Sequence, residues 1–213
     1  MARPALSDAQ LARQRRRLTA AALDLYRTRG YEAVTLRRVA TRVRMSHVTP
    51  YRYFESKDEL LAAMKADVFA KFAEHMRVAA ESAVRPIDRL RRLYLSVFDF
   101  ARRHPADYRL IFSLRQPLIA RYPLLRAAWK DAADFVILTC QQAIDAGQLQ
   151  GDATTWVHVA WSSIHGLLSL HVANLLILGR DFESLIEPVM QTLLPDATCS
   201  RRPSVTLNEE LRE

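Results

Sequence analysis

Residues 35–57 read TLRRVATRVRMSHVTPYRYFESK, and the way this stretch is punctuated decides the fold of the chain. Thr35 is a good N-cap residue. Leu36, Val39, Ala40 and Val43 recur behind it at helical spacing, so a short amphipathic helix runs to about Val43. A three-residue break follows. Ser46 offers a second N-cap, and a third helix ends near Phe54 after Tyr51, Arg52 and Tyr53. Two short helices separated by a tight break, the second crowded with side chains that reach base edges and phosphates, are the makeup of a helix-turn-helix DNA reader.

Working outward, a first helix is predicted over 11–29, with Leu18, Ala22, Leu25 and Tyr26 forming one apolar stripe. Gly30 stands where a helix of this length stops. On the other side Ser56, with Glu59 three residues on, reads as a capping box that starts a helix reaching about residue 80. Further helices are predicted over 86–103, 107–114, 124–146, 153–178 and 182–194, with Pro117 and Pro123 marking a loop. Gly147, Gly179 and Pro195 close the last three. The reading is all-α, with about nine helices. A three-helix DNA-binding head spans 11–56, and a roughly six-helix ligand-binding and dimerisation bundle spans 57–196. Residues 1–10 and 197–213 are expected to be flexible tails.

The net charge is +8, and its distribution matters more than its size. Residues 1–57 hold 13 Lys+Arg against 4 Asp+Glu, and the remainder holds 18 against 19. An excess confined to one quarter of the chain points to nucleic acid rather than to a solvated surface. A membrane surface would want large apolar anchors beside the basic run Arg13, Arg15, Arg16 and Arg17, and an ordinary core stripe follows instead. Those arginines either reach flanking phosphates or are simply solvated. Cys140 and Cys199 show no metal or disulfide spacing, and the N-terminus carries no apolar secretory region, so a cytoplasmic protein with reduced thiols is expected. Residues 153–179 contain no formally charged side chain, but three histidines, Asn174 and serines interrupt them. That favours a helix buried on most of its circumference over a membrane span. No phosphate loop, paired carboxylates or Ser/His/Asp context suggests an enzyme. A sequence-blind coating protein would want stacking aromatics along a basic groove, whereas the cations here cluster around one short reader.

Residues 17–60 resemble the DNA-binding domain of the tetracycline-repressor (TetR) family of transcriptional regulators. The likeness is carried by Ala21–Ala22, Leu25, Gly30–Tyr31, Thr35, Val39–Ala40, Ser46, Thr49, Tyr51, Tyr53–Phe54, Ser56–Lys57 and Leu60. Residues 104–112 (HPADYRLIF), with Trp161 and His165–Gly166, resemble a C-terminal subfamily marked by a Trp and a His-Gly pair. The chain departs from the family pattern at Val43–Arg44, where an Ala-Gly pair is usual, at Val48 in place of Gly, and at Pro50 in place of Leu or Ile.

The resemblance implies a repressor that binds an inverted-repeat operator as a homodimer and is released by a small, mainly apolar effector, without cofactor or metal. His47 and Thr49 are the candidates for direct base readout, Val48 for a thymine methyl, and Arg52 for a guanine or a phosphate. Thr35, Arg44, Ser46, Tyr51, Tyr53 and Lys57 would bond to phosphates. Phe54 is assigned to the core. The family's last two long helices pair with those of a second subunit, which would cover the charge-free helix and make use of Gly166. The implied pocket has Phe98, Tyr108, Phe112, Trp129, Phe135, Trp161 and His165 as candidate liners, although aromatics at helical spacing are more often plain core. His158, Ser162 and His165 share one helix face. They read as satisfied buried polar groups rather than metal ligands, because no acidic or thiol partner stands near them at helical spacing. The helix that starts at Ser56 would link pocket to head.

Overall fold

The computed structural model describes residues 7–112 and 119–194. Among them lie eight α-helices: α1 (Asp8–Arg29), α2 (Leu36–Arg42), α3 (Lys57–Glu81), α4 (Pro86–Arg103), α5 (Pro105–Phe112), α6 (Pro123–Asp145), α7 (Ala153–Val172) and α8 (Phe182–Leu193). Three short 3₁₀ turns, Tyr31–Ala33, Thr49–Arg52 and Ile119–Arg121, complete the regular elements, and no strand occurs among the described residues. Nor is any described helix long and apolar enough to cross a membrane.

Local chemistry explains the boundaries, including those where the sequence reading was wrong. α1 begins at Asp8, inside the expected tail, because Ser7 and Gln10 form a reciprocal capping box. At α3 the expected box is only half made. Ser56 accepts from the Glu59 N–H, while the Glu59 carboxylate turns away to accept from the Glu55 N–H at 2.7 Å. α5 starts at Pro105, two residues early, since proline at the first helical position loses no bond. Pro123 likewise opens α6 instead of lying in a loop. α7 stops at Val172, six residues short of the expected end. Asn174 takes a left-handed conformation (φ 57°), the Asn174 N–H reaches the His171 carbonyl and the Leu175 N–H reaches that of Leu170. That is the double bond pattern with which glycine normally ends a helix, and Gly147 makes it at the end of α6. Pro117, Pro195, Cys199 and the C-terminal tail lie outside the described residues.

The stripes predicted for α1 and α2 are buried, as is Phe54 at 1 % exposure. The head closes around them, and α3 runs out of it into the bundle. Leu60, Leu61 and Met64 belong to the same continuous core as Phe69, Phe72 and Met76 further along the helix. α3 and α4 pack against α6, α7 packs on α4 and α6, and α8 packs on α7 and α4. The expectation for α7 fails in the single chain. Ala160, Ile164, Leu167 and Leu168 are buried, but Val159, Ser162, Gly166, Ser169 and Leu170 are open to solvent.

One polar tie joins head to bundle across 80 residues. Arg27 of α1 donates Nε and Nη2 hydrogens to the two carboxylate oxygens of Asp107 in α5, both at 2.7 Å. Asp107 is buried and Arg27 about one-third exposed, and the ion pair raises the Arg27 pKa. Removing one partner of such a pair strands the other charge away from water. Arg27→Gln is expected to cost about 2 kcal/mol in urea unfolding, a value reduced from that of a fully buried pair by the exposure of the guanidinium. Asp107→Asn should cost less, because the buried charge itself is removed.

Candidate nucleic-acid interface and effector cavity

The turn of the reading head is built on an unusual residue. α2 ends with the Arg44 N–H on the Thr41 carbonyl and the Met45 N–H on that of Ala40, and the left-handed position between them is Arg44 at φ 55°. Glycine adopts that conformation without penalty, whereas an L side chain costs roughly 1 kcal/mol there. The break therefore survives the loss of the family's glycine, at a strain held by the surrounding bonds. Arg17 adds one of these, donating from Nη2 to the Val43 carbonyl at 2.9 Å.

The reading segment is shorter and tighter than an α-helix. Pro50 has no N–H to offer the Ser46 carbonyl and disfavours the helical region for Thr49 before it. The chain answers with i→i−3 bonds, from the Tyr51 N–H to Val48 and from the Tyr53 N–H to Pro50, so a 3₁₀ turn over Thr49–Arg52 replaces the expected helix. Ser46 does not cap it, and its hydroxyl bonds to that of Thr49 at 3.0 Å.

The turn presents Val48 and Tyr51 to solvent at 75 % and 58 % exposure. His47 stands beside them with Nε2 3.2 Å from the Thr41 hydroxyl. Arg44 and Arg52 are exposed and, among the described residues, make no side-chain hydrogen bond or ion pair; Arg37 and Arg38 on α2, not singled out from sequence, stand likewise. Thr35 caps α2 through the Arg38 N–H, and Lys57 sits 3.9 Å above the Tyr31 ring. Tyr53 is the one buried residue among the expected phosphate contacts. Its ring is buried at 8 % exposure, because the tight turn swings it inward beside Phe54. Arg15 is likewise no free cation. It holds the Tyr53 carbonyl, pairs with Glu59 at 2.8 Å and lies over the Phe54 ring at 4.4 Å. Arg13 and Arg16 remain exposed.

In the bundle, a cavity of about 200 Å³ is walled by α3, α4, α6 and α7, with Phe112 closing it from α5. Of the seven expected liners it gathers three: Phe112, Trp129 and Trp161. His165 lies behind the wall, stacked on Trp161 at 5.0 Å with its Nδ1 on the Tyr108 hydroxyl. Tyr108 borders a separate recess beside Arg109 and Leu168. Phe98 packs on Phe182 at 5.9 Å, and Phe135 lies under the Arg77 guanidinium. His158, expected to be buried, is exposed at the cavity, with Nδ1 on the Thr154 carbonyl. The wall residues that sequence reading missed include Phe69, Phe72, Met76 and Tyr94. They lie on the buried faces of α3 and α4, and periodicity does not say which buried face meets a space and which a neighbour.

Two consequences can be measured. Arg44→Gly is expected to raise stability by about 1 kcal/mol through relief of the left-handed strain, while losing one cation from the reading face. A drop in the urea midpoint would contradict the strain. Burial lowers the His165 pKa below its ordinary value. The unfolded chain therefore takes up a proton near pH 6.5 before the folded one does, and stability should fall as pH drops through that value toward the folded pKa. His165→Gln should flatten that part of the curve.

Residues 18–64 match the model described as bacterial regulatory proteins, tetR family, and residues 90–193 match a tetracyclin repressor-like C-terminal domain. The nucleoid occlusion factor SlmA of Mannheimia succiniciproducens is 26 % identical over 87 residues, 41 % of this chain and 40 % of that protein. The chain thus spans about two fifths of the length of these curated relatives. The HTH-type transcriptional repressor KstR2 of Mycobacterium tuberculosis is 25 % identical over 169 residues, covering 71 % of this chain and 82 % of its own. In fold, the chain is similar to a protein of unknown function from Rhodococcus sp. RHA1, with TM-score 0.73, 23 % identity, and 84 % and 93 % of the two chains covered. With a reading head and a helical bundle that each match one of its domains, this chain belongs to the tetR family of bacterial regulatory proteins.

Proposed function

We propose that the protein is a transcriptional repressor, a regulator and not an enzyme, that acts in the cytoplasm. It reads an inverted-repeat operator as a homodimer, and a small apolar molecule in the bundle cavity releases it. The carrying observation is the reading turn itself. Val48 and Tyr51 stand uncovered on an otherwise closed head that also exposes the cations Arg37, Arg38, Arg44 and Arg52. His47, Val48, Thr49 and Arg52 would contact bases. Thr35, Arg44, Ser46, Tyr51 and Lys57 would hold phosphates.

Dimerisation is supported by the open face of α7. It carries no Lys, Arg, Asp or Glu over Ala153–Val172, and Gly166 lies on it. A Cβ at Gly166 would meet nothing within 4 Å in its own chain. Glycine inside a helix costs up to about 1 kcal/mol against Ala, so close approach by a second copy is the reason that suits it. α8 packs on α7 and exposes Gln191 and Thr192. Release would follow from a bound state in which the two heads are mis-spaced for their half-sites. α3 and the Arg27–Asp107 pair connect cavity and head.

Selection from random duplex DNA should enrich an inverted repeat with half-sites about 34 Å apart, or a multiple of that, preferred over bulk DNA by about 10³-fold or more. Failure to enrich any sequence would remove the reading. Gly166→Glu is expected to keep the helical circular dichroism, sediment as a monomer at micromolar concentration and lose operator binding. A wild-type monomer under those conditions would refute the dimer.

A further inference from the structure

The hydrogens between α2 and the reading turn can be counted. Thr41 of α2 and His47 are both exposed. Thr41 Oγ1 lies 3.2 Å from the Arg37 carbonyl oxygen and 3.2 Å from His47 Nε2. A hydroxyl has one hydrogen, and a carbonyl oxygen only accepts. The Thr41 hydrogen therefore goes to Arg37, and its oxygen keeps its lone pairs for His47. Both bonds form together only when His47 carries its hydrogen on Nε2 and donates it to Thr41. In a neutral ring that leaves Nδ1 as an acceptor, and among the described residues no donor meets it.

An acceptor at that place discriminates. Guanine N7 and O6, thymine O4 and phosphate oxygens are acceptors themselves and cannot pair with it. The major-groove donors are the N6 amino group of adenine and the N4 amino group of cytosine. With its hydrogen on Nδ1 instead, the same side chain would favour guanine or a phosphate. Thr41 needs no contact with DNA of its own, because it acts through the ring. We propose that Thr41 is a positioning residue for base recognition: its bond to His47 Nε2 makes His47 Nδ1 the acceptor for the exocyclic amino group of an adenine or a cytosine. This rests on the reading of the turn as the base-contacting element.

The test uses the full-length protein at about pH 8.5, since a protonated ring donates from both nitrogens. Without DNA, long-range proton–nitrogen NMR of the ring-labelled protein should place the His47 hydrogen on Nε2 in wild type and in Thr41→Ser. Thr41→Val should show a mixture of both tautomers. With DNA, selection by wild type and by His47→Ala should reveal one base pair whose preference only the variant loses. Deleting the amino group there, with purine for adenine or 2-pyrimidinone for cytosine, should weaken wild type and Thr41→Ser by about five- to tenfold. The same deletion should cost Thr41→Val about twofold or less and His47→Ala nothing. Deleting the purine N7 of that pair with a 7-deaza base should cost wild type no more than about twofold. A hydrogen on Nδ1 in wild type, Thr41→Val indistinguishable from wild type, no preference lost in His47→Ala, or a larger loss from N7 than from the amino group would each overturn the proposal. If no sequence is enriched at all, the repressor reading falls and takes the base contact with it, while the ring nitrogens still uphold or overturn the Thr41–His47 arrangement.

Discussion

A single helix, α3, belongs to two structures at once. Its 25 residues start beside the reading turn, where Glu59 pairs with Arg15, and run on to Phe69, Phe72 and Met76 in the cavity wall. The distance from Leu60 to Phe72 is about 18 Å at 1.5 Å per residue. Over that length a helix packed on both sides cannot be displaced at one end without the other responding, because close-packed cores are not continuously deformable. The Arg27–Asp107 pair supplies a second tie, and it too leads to the cavity, since Asp107 shares α5 with Phe112. The head is thus held at two points, and both lead back to side chains that line one space. In the proposed mechanism an occupant of that space has no need to reach the head directly.

The architecture was open to sequence reading because helix periodicity and starting caps are local. The stripe of Leu18, Ala22, Leu25 and Tyr26, the caps at Thr35 and Ser56, and the bounds of α4 all follow from residues within one or two turns of each other. Stops were less uniformly legible: Arg103 ends α4 as expected, but α7 stops at Val172, well before Gly179. Gly147 ends α6 as expected, but Arg44 and Asn174 adopt the same left-handed geometry; asparagine tolerates it, whereas nothing in the arginine side chain announces it. The reading element was misjudged for a related reason. Pro50 removes only one bond, but in a segment bounded by Ser46 and Phe54 that one bond decides between α and 3₁₀.

The cavity was legible in kind and not in membership. An aromatic residue on an apolar stripe can face a neighbouring helix or a space, and only the tertiary arrangement separates Phe112 and Trp161 from Phe98 and Phe135. Arg15 shows the same limit for charge. It belongs to a basic cluster that composition assigns to phosphates or solvent, and it is spent on a carbonyl, a carboxylate and a ring inside the head.

The shortness of the reading turn has a consequence for how binding energy must be divided. Four residues of 3₁₀ geometry, with Tyr53 turned inward, leave few side chains for base edges, and each good bidentate base contact discriminates by about 1–3 kcal/mol. In the proposed complex most of the affinity would then come from phosphates, to which the exposed Arg37, Arg38 and Arg44 would contribute in proportion to the counterions they release. Phosphate contacts carry no sequence information. A single head would therefore bind DNA with little preference, and selectivity has to be gained by requiring two heads at a fixed separation. On this argument the charge-free face of α7 does as much for operator choice in the proposed dimer as the residues that touch the bases.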